Sequence, residues 1–122
     1  MRKSLLKACQ QKGFTLVELM IVIAIIGILA TISISVFTSH RIKSFNASAK
    51  SDAKNMHTAS QAYFSDHPTG TVALADLHAY GYRTTDGVTP TAAGTMSGLA
   101  ITAVHASGTT TYSVDSSGAI TP

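Results

Sequence analysis

From Phe14 to Phe37, 24 consecutive residues are almost wholly apolar, and Glu18 is the only one that carries a charge. A chain of 122 residues supplies one domain and a small core, too little to wrap such a stretch. As a helix the stretch would run roughly 36 Å, enough to cross a bilayer core of about 30 Å. Arg2, Lys3, Lys7 and Lys12 precede it with no acid among them. The positive-inside rule then keeps the N-terminus in the cytoplasm and sends the C-terminus out. A secretory signal has a shorter apolar region followed by a small-residue cleavage site. Here the small residue, Gly13, comes before the apolar run. A cut there would remove the positive charge and leave the apolar helix on the mature chain.

Charge is as uneven as hydropathy. Residues 1–13 carry +4, while five bases and six acids follow, so the formal +3 of the chain comes from its first residues. The body therefore gives no case for a nucleic-acid surface. Cys9 is the single cysteine, which rules out an internal disulfide. It reads as neutral filler, since the small-residue context for lipidation is missing. Stability has to come from packing or from assembly with other subunits.

The segment Lys12-Gly13-Phe14-Thr15-Leu16-Val17-Glu18-Leu19 resembles the leader junction of type IV pilins and type II secretion pseudopilins. The pattern is a basic leader, a glycine, a cut before Phe, Glu at the fifth mature position and about twenty apolar residues. The close resemblance covers roughly residues 12–67. It implies cleavage between Gly13 and Phe14 by a prepilin peptidase, N-methylation of Phe14, and assembly into a helical homo-oligomeric filament by an inner-membrane platform. It also implies a single-pass inner-membrane precursor and an extracellular filament. Two departures stand out. Ser35 takes the place where many pilins have proline, in the run Thr31-Ile32-Ser33-Ile34-Ser35, whose Thr and Ser can bend a helix by back-bonding more weakly than proline does, and the C-terminal cysteine pair of many pilins is absent.

Glu18 needs a reason, because a carboxylate in a bilayer costs about 2.5–3.5 kcal/mol on insertion scales. Cleavage would create a partner, the α-ammonium of Phe14, one helical turn away. The carboxylate could pair with its own terminus or with that of a neighbour in a filament, which would set axial register. Ala24, Gly27 and Ala30 recur at three-residue intervals and would let helix backbones approach.

No Gly or Pro interrupts residues 28–67, and Pro68 with Gly70 supplies a stop. Ile42, Phe45, Ala49, Ala53, Met56, Ala59 or Ser60, and Tyr63 recur at helical spacing, while Arg41, Lys43, Lys50, Asp52 and Lys54 mostly fall off that face. The expected organisation is a leader at 1–13, an apolar helix at 14–38, its amphipathic continuation at 39–67 and a small head at 68–122. The fold class is α+β: one long helix, near 80 Å, under a small antiparallel sheet of about three strands. Residues 72–79 read as one or two helical turns, 84–98 as a turn-rich loop with weak strand content, 99–106 and 109–115 as strands, and 119–121 as a short edge strand. Such a head is marginal alone.

Little in the chain suggests chemistry. His40, His57, His67, His78 and His105 show no metal-ligand spacing and read as solvated. Asp86 and Asp115 could approach each other, but calcium needs six to eight oxygens. No nucleophile motif, phosphate loop or cofactor pattern is present, so neither metal nor cofactor is expected and the protein is not read as an enzyme. Phe14, Phe37, Phe45, Tyr63 and Phe64 are too sparse along one helix for electron transfer within a subunit. The sequence thus points to a structural pilin-like subunit of a type IV pilus serving adhesion, motility or DNA uptake. A type II secretion pseudopilin is the alternative within the family, and an electron-conducting filament is the alternative of another class.

Overall fold

The structure, a computed structural model, describes residues 12–122. Cys9 and most of the expected leader lie outside the described residues. The elements follow in the order α1 (Leu16–Asp66), β1 (Thr71–Ala73), α2 (Leu74–Ala79), β2 (Val88–Thr95), β3 (Ala100–His105), β4 (Thr111–Asp115) and β5 (Ile120–Thr121). The chain divides into two compact units, the first ending at Val36 and the second running from Phe37 to Pro122.

In the first unit α1 is apolar on every side. Its large side chains from Leu16 to Val36 are all exposed, and no residue of the apolar window is buried. Thr31 and Ser33 donate their hydroxyls to the carbonyls of Gly27 and Leu29, at 3.0 and 2.8 Å. This is the back-bonding expected of Ser and Thr in a helix that lacks proline.

The second unit holds the core. The continuation of α1 buries Ala49, Asp52, Ala53, Met56, Ala59, Ser60 and Phe64. Of these, Ala49, Ala53, Met56, Ala59 and Phe64 share one apolar cluster with Val72, Leu77, Tyr82, Val88, Ala92, Leu99, Ile101, Ala103 and Val114. Alanines predominate on the helix side because the sheet backbone has to come close. The helix ends where Pro68 cannot donate an amide, and Gly70 N–H returns to the His67 carbonyl at 3.0 Å.

The sheet has five antiparallel strands in sequential order, β1-β2-β3-β4-β5. This corrects the expectation of about three strands. The three expected ones are present as β3, β4 and β5, and Leu99, Ile101 and Ala103 face inward as their alternation implied. The difference lies in two places: 84–98, which reads as a loop with weak strand content, contains β2, the longest strand at eight residues, and Val72 and Ala73, read as the start of helical turns, belong to β1. Its inward positions are Val88, Pro90, Ala92 and Gly94, and only valine gives a strong apolar signal. Pro90 is tolerated because β1 pairs only with Ala93, Gly94 and Thr95, so the strand is an open edge on that side at Pro90.

Two buried polar groups overturn the sequence reading. Asp52, expected off the buried face, is 1% exposed. Its carboxylate accepts from Tyr82 Oη at 3.1 Å, from the Thr85 amide at 2.9 Å and from Thr85 Oγ1 at 2.6 Å. That triple acceptance makes burial of the charge tolerable and fastens the α2–β2 connection to α1. His105, read as solvated, is buried and stacks on Phe45 with ring centres 4.3 Å apart. Its Nδ1 accepts the Ser107 amide at 3.0 Å. Asn46 performs a similar task nearby: its Oδ1 accepts the amides of Thr109 and Thr110, and its Nδ2 donates to both hydroxyls.

Asp52→Ala would strand the Tyr82 hydroxyl and the Thr85 amide, and is expected to destabilise the head by about 3 kcal/mol. Thermal unfolding of the detergent-solubilised chain, followed by circular dichroism, measures this. Burial pushes the Tyr82 phenol up to about 12, with the neighbouring Asp52 charge adding to the rise. The pKa is higher folded than unfolded, so this group's contribution is complete below roughly pH 10 and is lost as pH climbs through the folded value. Tyr82→Phe is expected to remove that alkaline loss.

Candidate functional site

Function has to lie where the sequence departs most from a soluble protein, in residues 13–36. The start of α1 is closed by a reciprocal pair. Thr15 N–H donates to Glu18 Oε2 at 2.8 Å, and Glu18 N–H donates to Thr15 Oγ1 at 3.1 Å. The Thr15 carbonyl accepts the Leu19 amide at 3.2 Å, so Thr15 is the N-cap residue. This is a capping box, which satisfies two of the amides that every helix start leaves open. Its signature, Thr-x-x-Glu before an apolar run, is plain in Thr15-Leu16-Val17-Glu18 and fixes the helix start at Leu16. Thr15 has no apolar or charge signal of its own, so its role is legible only together with Glu18 three residues on.

The cap uses one carboxylate oxygen. Glu18 Oε1 has no hydrogen-bond partner among the described residues. Glu18 is therefore oriented by its own backbone and keeps a second acceptor, while Phe14, two residues before the helix, is 84% exposed.

Gly13, Ala24, Gly27 and Ala30 are exposed as well. A Cβ built on Gly27 would meet nothing within 4 Å, and the same holds for Gly13. Glycine inside a helix costs roughly 1 kcal/mol relative to alanine. Nothing within the molecule requires that cost at Gly27, so any packing reason for it is intermolecular.

The remaining candidates do not converge. Among the described residues no three His, Cys, Asp or Glu side chains gather as a metal site. His67 stacks on Tyr63, His78 lies against Tyr82, and His57 contacts Gln61. Asp115 caps its own turn through Ser117. The rings of the helix contact others at two places, Phe45 with His105 and Tyr63 with Phe64, His67 and Tyr80.

Comparison with known proteins converges on the same stretch. The prokaryotic N-terminal methylation motif matches residues 9–34. Competence protein ComGC of Bacillus subtilis is 41% identical over 81 residues, spanning 66% of this chain and 82% of that protein. The type IV major pilin protein PilA of Myxococcus xanthus is 47% identical over 57 residues, 47% of this chain and 26% of that protein. A type IV major fimbrial protein, FimA, of Dichelobacter nodosus is 45% identical over 60 residues, 49% of this chain and 38% of that protein. The match thus spans well under half the length of these two pilins and most of the competence protein.

Thr15→Val keeps the side chain's shape and removes the capping oxygen. It is expected to cost about 1 kcal/mol at the helix start. The readout is faster hydrogen exchange at the first-turn amides of the micelle-bound chain, with the head amides unchanged.

Proposed function

The chain belongs to the type IV pilin family, and from that premise we propose that it is a structural filament subunit, held in the inner membrane as a precursor and assembled into a surface type IV pilus. The observation that carries this reading is the first unit of α1, whose large apolar side chains are exposed on every side. Lipid can solvate that surface before assembly, and identical helices can bury it afterwards. Among the described residues none of that apolar window is buried.

Each candidate residue has a role in this scheme. Prepilin peptidase cuts between Gly13 and Phe14, where glycine lets the enzyme approach the backbone closely. The new Phe14 ammonium, subsequently methylated, meets a carboxylate already aimed by Thr15. Glu18 Oε2 stays with the cap, and Oε1 accepts the ammonium of the same subunit or of a neighbour. In a packed apolar core an unpaired ammonium or carboxylate is heavily penalised, so an intermolecular pair selects one axial offset between subunits. Ala24, Gly27 and Ala30 let the helices come close enough for that pairing. The inner-membrane assembly platform receives the processed subunit.

A second reading has its own support. The high coverage of a competence protein favours a short pseudopilus-like filament serving DNA uptake. A filament abundant on wild-type cells supports the pilus reading. A filament visible only on overexpression supports the pseudopilus reading.

The test uses sheared filaments and membranes probed in parallel. Mass spectrometry of wild-type filaments is expected to find this subunit beginning at Phe14. Subunits retaining residues 1–13, or filaments lacking the protein, refute the reading. Glu18→Gln keeps size and cap geometry and removes the charge. Processed protein is expected to remain abundant in membranes while filament yield falls at least tenfold, because the Phe14 ammonium loses its counter-ion. Gly27→Leu is expected to raise helix stability in micelles by roughly 1 kcal/mol and still to impair filament yield. Normal filaments from both variants would remove the pairing and packing arguments.

A further inference from the structure

The solvent face of the sheet differs from an ordinary protein surface. Its outward positions on β2, β3, β4 and β5 include Thr89, Thr91, Thr102, Thr111, Ser113 and Thr121, with no lysine or arginine. Thr91 is paired with Thr102, Thr102 with Ser113, and Ser113 with Thr121, so hydroxyl residues run in one register row across four strands. Threonine favours exposed strand positions for its β-branch, and that alone accounts for a single threonine. It does not account for the hollow at the end of the row.

There β3, β4 and β5 form a shallow dish of about 260 Å³ with Ala100, Thr102, Ser113, Asp115, Ala119 and Thr121 around it. Asp115 is the one charge on it, and it is rigidly held. Ser117 donates its amide at 2.9 Å and its hydroxyl at 2.6 Å, and Ala119 donates its amide at 3.3 Å, all to Oδ1. Oδ2 has no hydrogen-bond partner among the described residues. The Ser117 bonds hold the carboxyl below its usual range, so the group is an acceptor throughout the neutral region.

We propose that this dish binds a neutral carbohydrate, one sugar ring at a time. The lining selects the ligand class. A fixed anion in a lining that holds no lysine, arginine or histidine rejects phosphates, carboxylates and nucleic acid. A single carboxylate with hydroxyls is too poor a donor set for calcium, which takes six to eight oxygens. The Ala100 and Ala119 methyls are too small a surface to hold an apolar side chain. A pyranose offers adjacent O–H donors to Oδ2, a partner to the Ser113 hydroxyl, and further donors to the hydroxyl oxygens of Thr102 and Thr121, which already pair with Thr91 Oγ1 and the Ser113 carbonyl and keep acceptor capacity, and it lays C–H groups on the alanine methyls. No aromatic residue lines the dish, so a single site should bind with a Kd on the order of 1 mM. Repetition along a filament would multiply that by avidity, but the site itself does not depend on the filament reading.

The test is an NMR titration of the isotope-labelled full chain in neutral detergent micelles. The probes are glucose, galactose, mannose and N-acetylglucosamine, each added separately. At least one is expected to shift the amides of residues 100–102, 113–115 and 119–121 in a saturable manner, leaving α1 unmoved. Asp115→Asn keeps an oxygen for the Ser117 and Ala119 donors, so the turn survives, but replaces the free acceptor by an amide. It is expected to weaken binding about tenfold while the spectrum stays folded, and Thr102→Val should weaken it less. The proposal is overturned if no sugar shifts these amides. It is equally overturned if Asp115→Asn binds as well as the parent, or if calcium alone produces the shifts.

Discussion

An apolar helix exposed all round is the constraint on which the rest of this molecule depends. Water is a poor solvent for the surface between Leu16 and Phe37. Lipid or the apolar faces of other helices are the surroundings that suit such a surface, which is the basis of the filament reading. The same helix continues into the head, where it supplies one wall of the core. A single element thus carries the anchoring surface in its first half and a folding surface in its second. The sequence marks the change by shifting from leucine and isoleucine to a stripe of Ala49, Ala53, Met56 and Ala59.

A core walled by alanines is thin, and no disulfide reinforces it. Polar clamps do part of that work. Asp52 and Asn46 both project from α1 and between them hold the two connections that flank β2 and β3. Each collects several backbone or hydroxyl donors that a loop over a small core could not otherwise satisfy. Close contacts complete the fit: a Cβ on Gly87 would fall 2.6 Å from His105 Nε2, and one on Gly108 would fall 2.6 Å from Asn46 Oδ1. Glycine at these two places is a packing requirement, and at Gly87 a φ of +80° adds a conformational one.

The parts of the fold that could be read from sequence were those with long periodicity. The apolar run, the amphipathic continuation, the stop at Pro68 and the alternation of β3 each repeat over several residues. The parts that escaped depend on tertiary partners. Asp52 looks solvated by composition and becomes buried only because Tyr82 and Thr85, some thirty residues on, arrive with donors. His105 is buried because Phe45 offers a ring face. The strand at β2 is written in valine, proline, alanine and glycine, whose inward pattern is too weak to register until β3 pairs with it. At the helix start the failure was of another kind. The capping signal is local, in Thr15 and Glu18, but a lone acid in an apolar run points to an ion pair and masks the cap that the geometry adds.

That double use explains why a glutamate suits position 18 better than a neutral residue. A capping box needs one oxygen acceptor, which glutamine also provides. Glutamine's second terminal atom, however, is a donor, and it would face a cationic terminus after cleavage. Glutamate leaves a second acceptor, Oε1, with charge opposite to the ammonium. Its negative charge also lies in the first turn, where the helix dipole favours an anion. The cap holds the carboxylate in one direction before any partner arrives, so little side-chain freedom remains to be lost on pairing. A carboxylate that is costly in lipid is thus partly satisfied by Thr15. In the filament we propose, it would be satisfied more fully at the offset that brings an ammonium to Oε1.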